Sequence, residues 1–200
     1  RRNIPVVVRG NCAEGPVDDA DQVLGDEPQG GYLATRHLLD LGHQRIAFIG
    51  LPERFGTMQP RYTGYRAALA EKGLMPYICH WQNTTREDQV LAELSALLRG
   101  HEAPTAFVAA SDYMAIWAWD LLERCEQRVP KDISLVGHGN ARYARLIRHG
   151  LTTIDHGKEQ QTQIAVRLLM ERILGTHTGA PRREVIPIRL VVRGSTQAPP

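Results

Sequence analysis

The 200-residue chain has no apolar run near the ~20 residues that a membrane-spanning helix needs. Its start, Arg1-Arg2-Asn3-Ile4-Pro5, lacks both a methionine and the apolar core of a secretory signal. We therefore expect a cytoplasmic protein with no membrane partner, and we read the opening Arg1-Arg2 as the edge of a piece cut from a longer chain. Cysteine is scarce. Cys12, Cys79 and Cys125 are odd in number, far apart and in no metal or redox spacing, so reduced, structural thiols are expected. A surplus of one charge is also missing. Twenty-four basic residues face 22 acidic ones, and the net charge of +2 is spread evenly, which argues against a nucleic-acid surface in these residues. The usual catalytic signatures are absent too: no Gly-x-Ser-x-Gly, no glycine-rich phosphate loop and no His-x-x-x-His, with the eight histidines scattered. No enzyme, cofactor or metal is expected.

What is present is an α/β pattern. Hydrophobic residues make up 42% and charged residues 23%, the balance of a globular protein that buries a core. Residues 31–50 hold the organising unit. Leu33, His37, Leu38 and Leu41 fall at helical spacing, Gly42 stops the helix, and Ile46-Ala47-Phe48-Ile49 follows as an apolar strand. Such a run suits a strand covered on both faces of a parallel sheet. The unit recurs: helices over 60–72, 86–99 and 112–125, strands over 76–80, 105–109 and 133–137, with Thr85 and Asp112 as expected helix caps. Strand starts at 45, 77, 105 and 133 give a period of about 30 residues, the size of a βαβ unit. Flanking elements are strands 4–8, 23–24 and 151–154, a helix over 158–174, a closing ribbon of strands 185–188 and 189–193 around Pro187, and a loose tail from 194. Helix 112–125 is apolar nearly all round, and Tyr113, Ile116 and Trp119 on its second side point to a dimer interface in which Trp119→Glu would give a monomer.

Six stretches, in order and spacing, resemble the lac repressor (LacI/GalR) family of bacterial transcription regulators. They are 31–50 (Gly-Tyr-Leu-Ala-Thr-Arg-His-Leu-Leu-Asp-Leu-Gly-His-Gln-Arg-Ile-Ala-Phe-Ile-Gly), 61–69 (Arg-Tyr-Thr-Gly-Tyr-Arg-Ala-Ala-Leu), 104–115, 128–137, 151–154 and 190–196. The resemblance implies a periplasmic-binding-protein-like fold of two doubly wound parallel-sheet subdomains, the N-terminal one incomplete in these residues. The N-terminal subdomain would be 1–24 with 155–180, and the C-terminal one 26–154 with 184–200. The function implied is allosteric. A small effector would bind between the subdomains of a homodimer and alter DNA binding by a helix-turn-helix domain absent from these residues. Arg61 stands where the family holds its effector with an arginine, Arg54 lies in the same loop, Trp81 where an aromatic ring often stacks, and Ser111 where Asn is usual. Two family acids are replaced, by Gly25 and Gly139, with His138 and Asn140 placed to compensate. Losing a charged acceptor costs about 1.5–3 kcal/mol, which leaves the expected effector open between a sugar-like molecule, a nucleobase-like one and a small acid or other less hydroxylated compound. A solute-binding protein of a transporter, or a sugar-active enzyme, would use the same scaffold.

Overall fold

Every residue of strand β3 (Ile46–Ile49), β5 (Ala106–Ala109) and β6 (Ser134–His138) is buried. Since alternate side chains of a strand point to opposite faces, both faces of this sheet are covered. In the computed structural model, which describes residues 4–10, 17–51, 56, 58–81 and 86–200, these strands are the centre of a six-stranded sheet. Its order is β4-β3-β5-β6-β7-β9, with β4 at Tyr77–Cys79, β7 at Thr152–Asp155 and β9 at Arg189–Val191. All neighbours are parallel except β7 and β9. Four helices belong to the same unit: α1 (Glu27–Asp40), α2 (Met58–Ala70), α3 (Glu87–Leu98) and α4 (Asp112–Arg124).

The chain divides into two units, Arg1–Asp26 with His156–Ile188 and Glu27–Asp155 with Arg189–Pro200. The smaller unit has a parallel sheet of β1 (Val7–Arg9), β2 (Asp21–Gly25) and β8 (Arg183–Ile186) in the order β1-β2-β8, and helix α5 (Lys158–Ile173). Its buried apolar core is small: Val23, Leu168 and Ile186, flanked by Val7, Ile164 and Ala165. No helix among the described residues is long and apolar enough to cross a membrane.

The expected closing ribbon does not form. β8 pairs with β2, from Gln22↔Arg183 to Gly25↔Ile186, whereas β9 pairs with β7 in the other unit. The last boundary between units therefore falls at 188–189, not at 180–184. Pro187 sits in the two-residue link between the strands, where its missing N–H costs no ladder bond. The expected loose tail is also corrected. Ser195 is fully buried; its hydroxyl donates to the Leu135 carbonyl at 2.6 Å and accepts from the Thr152 N–H at 2.8 Å. His43 Nε2 meets the Gln197 carbonyl at 2.8 Å, and His37 Nε2 lies 2.9 Å from the Thr196 hydroxyl. These bonds satisfy buried polar groups that a loose tail would strand. Desolvation pushes the pKa of both histidines down. Cys79 is a buried thiol pushed up to about 12 by burial, so it is no thiolate nucleophile, and Cys125 is half-buried beside Ser95. Cys12 and Thr85 lie outside the described residues. The residue capping α3 is Arg86, whose side chain makes no cap bond.

Candidate functional site

Helices α1 and α2 approach backbone to backbone. A Cβ on Gly31 would stand 1.8 Å from the Arg61 carbonyl oxygen, and one on Gly64 would stand 1.8 Å from the Pro28 carbonyl oxygen. Only residues without side chains permit this contact. It sets the first turn of α1 beside the N-terminal part of α2, which follows β3. Glu27 thereby meets Arg61. Arg61 Nε donates to Glu27 Oε2 at 2.7 Å, and Nη1 donates to the carbonyl of Ala110, just beyond β5. The same Glu27 oxygen lies 3.1 Å from Nε2 of His138, the last residue of β6. The side chains of Arg61, Glu27 and His138 are 14%, 7% and 1% exposed. An arginine, a carboxylate and an imidazole thus converge at the carboxyl ends of β5 and β6, where open α/β sheets take their ligands.

A second carboxylate braces these strand ends. The side chain of Asp112, itself buried, accepts from the Ala141 N–H at 2.6 Å and from the Thr153 hydroxyl. Gly137 has no room for a Cβ, which would lie 2.5 Å from Asp112 Oδ1. The cap expected of Asp112 is made by Ser111, whose hydroxyl accepts from the Met114 N–H at 3.2 Å at the start of α4. An Asp in the first turn and a Ser one residue earlier both satisfy cap preferences, so the local pattern did not separate them.

The other sequence candidates fall in distinct places. Asn140 is half-buried, has a left-handed backbone (φ 46°), and its Oδ1 accepts from Arg193 Nη2 at 2.6 Å. Trp81 is buried beyond β4, its N–H donated to Glu93 at 3.0 Å and its ring tilted against Phe107. Arg54 lies outside the described residues. Glu27 escaped the sequence reading. An acid followed by Pro28 at a helix start is explained by the helix dipole alone, and its partners are 34 and 111 positions away.

The apolar face of α4 is real but narrower than expected. Tyr113 and Leu146 are 55% and 82% exposed, and with Ile116, Trp117, Asp120, Tyr143 and Ile147 they line a groove of about 610 Å³. Trp119 is not on it. Its ring is fully buried, with its N–H donated to Glu123 at 3.2 Å and the Arg148 guanidinium above it. A glutamate there would put a charge in the core, so Trp119→Glu tests folding and not assembly.

A parallel sheet between helices, with polar side chains gathered beyond its strand ends, is the architecture of a periplasmic-binding-protein-like domain. The family model described as periplasmic binding protein-like domain matches residues 35–196, and the chain belongs to this family. It is 35% identical over 196 residues to the HTH-type transcriptional repressor PurR of Photorhabdus laumondii, covering 97% of this chain and 57% of that protein. The chain thus spans under two thirds of that curated relative. Among solved structures, the LacI transcriptional regulator from a Rhodococcus species is 32% identical with a TM-score of 0.82, over 97% of this chain and 70% of that one. A LacI family regulator from Enterococcus faecium with bound ribose is 28% identical with a TM-score of 0.83, over 97% and 71%.

Proposed function

We propose that the chain is the effector-sensing core of a LacI-type transcriptional regulator, and that its effector is a small sugar-like molecule held by Arg61. One observation carries this. A guanidinium oriented by Glu27 and the Ala110 carbonyl stands at the carboxyl end of the sheet, preorganised to meet hydroxyl oxygens. The relative with bound ribose makes pentoses the first compounds to try. Ser111, His138 and Asn140 border the same strand ends, and we assign them supporting contacts. Ligand binding would shift the equilibrium between conformations by its differential affinity, and this is the coupling that a repressor uses. Operator DNA would be held by a helix-turn-helix domain outside these residues, in the cytoplasm.

In a thermal-shift screen of sugars and nucleobases, at least one pentose is expected to raise the melting temperature, with Arg61→Ala weakening it tenfold or more. A hit that survives Arg61→Ala undiminished removes Arg61 from the site.

The groove of α4 is the proposed homodimer face, an apolar patch rimmed by polar groups. Leu146→Glu alters a side chain that touches little of its own chain. Light scattering of that variant at micromolar concentration should give a monomer where the unsubstituted protein gives a dimer; an unchanged dimer places the interface elsewhere.

A further inference from the structure

We propose that Glu27 determines the charge class of the effector: by neutralising Arg61 it reserves this site for uncharged, hydroxyl-bearing molecules and turns anions away. The proposal rests on the reading of Arg61 as the effector arginine. At the two positions where the family resemblance leads one to expect acids, this chain has Gly25 and Gly139, so an arginine without a counter-charge would be the expected result. Such a cation keeps its charge under all accessible conditions and would recruit a carboxylate or phosphate. The fold supplies the missing charge from another position. Glu27 Oε2 receives Arg61 Nε at 2.7 Å, with both side chains largely buried. His138, against the same oxygen at 3.1 Å, ties the carboxylate to the end of β6. The Gly31 and Gly64 contacts make this pairing possible, because they bring the first turn of α1 against α2.

The consequence is electrostatic. An anionic effector beside Arg61 would also face the Glu27 carboxylate, and like charges in a poorly hydrated site repel strongly. A sugar presents hydroxyls that donate to a carboxylate and accept from a guanidinium with no net charge to desolvate. Glu27 therefore takes the part of the absent acids from the start of α1, and a small acid is the wrong class of effector.

The test is calorimetric titration of the wild type, Glu27→Gln and the double variant Glu27→Gln/Arg61→Gln with ribose, with ribonate (the carboxylate of the same skeleton) and with inorganic phosphate. The wild type should bind ribose at least tenfold more tightly than ribonate and show no phosphate binding. Glu27→Gln should move the ribonate-to-ribose ratio at least tenfold towards ribonate and acquire phosphate binding, and the double variant should lose that phosphate binding. An unchanged ratio without phosphate binding in Glu27→Gln overturns the proposal, as does a wild type that prefers ribonate. If the wild type binds neither ribose nor ribonate, the pentose reading fails by itself, and the phosphate arm decides on Glu27 alone. Should Glu27→Gln not fold, as judged by circular dichroism, Glu27→Ala takes its place with the same expected gain.

Discussion

Gly64→Ala should lower the melting temperature by roughly 6–12 °C, the equivalent of about 3 kcal/mol or more in a chain of this size. Two effects oppose one another at this position. Gly64 lies inside α2, where alanine is the better helix former by about 1 kcal/mol. Against that, the added Cβ would stand 1.8 Å from the Pro28 carbonyl oxygen and 2.6 Å from the Tyr32 nitrogen. Both are backbone atoms of α1, so no side-chain rotation relieves the clash and the helices must move apart. The clash wins. Separation of α1 and α2 also draws Glu27 away from Arg61, so the variant should bind ligand poorly even at temperatures where it is folded. Gly73→Ala is the control. Its φ is +65° and nothing lies within 4 Å of the added atom, so only the left-handed backbone is penalised, at about 1–2 kcal/mol. Equal melting temperatures for the two variants would mean that the helices do not touch at these glycines.

Asp21→Asn should open the smaller unit. The Asp21 side chain is completely buried and accepts from Arg172 Nε at 2.9 Å, Arg172 Nη2 at 2.8 Å, the Arg182 backbone N–H at 2.7 Å and Arg182 Nη2 at 3.3 Å. Arg172 reaches on to the carbonyls of Gly179 and Ala180, and Arg182 pairs with Glu171 at 2.5 Å. One carboxylate therefore joins the end of α5, the 179–182 connection and the start of β2 in a unit whose apolar core is only a few residues deep. Removing its charge leaves two guanidiniums facing an amide, a loss of about 3–5 kcal/mol. Hydrogen exchange read by mass spectrometry should show β1, β2 and β8 exchanging faster while the six-stranded sheet keeps its protection. Exchange that is unaltered in those three strands would show the network to be dispensable. The pH dependence has the same origin. Hydrogen bonds from Arg172, with those of Arg182 behind them, hold the Asp21 carboxyl well below the usual carboxylate range. The unfolded chain takes up the proton first, so this stabilisation is complete above about pH 4 and is lost as pH falls below it.

Much of this was legible in residue order, for local reasons. β3 and β5 read as strands because short apolar runs suit a doubly covered sheet, and their observed limits fall within a residue or so of the expected ones. The helices followed from their spacing and glycine stops, and Arg61 stood out through the motif around it. Ser195 and Thr196 gave no local sign of docking, because their partners Leu135, Thr152 and His37 come from other parts of the chain. Trp119 looked available because helix 112–125 is apolar on both sides, and the pattern of one helix does not say which side its neighbours cover. Pro187 marked a bend, but not that the strands on either side of it would join different sheets.

The sequence by itself determined which segments are helix and strand, their parallel arrangement, the family, and the arginine at the head of α2. Those properties depend on side-chain periodicity, on turn residues and on motifs a few positions long. Tertiary structure alone decided that Glu27 answers Arg61 and His138, across 34 and 111 positions. An ion pair depends on a separation of a few ångströms, and that separation was set by two glycines, on different helices, whose missing side chains let one backbone rest against the other.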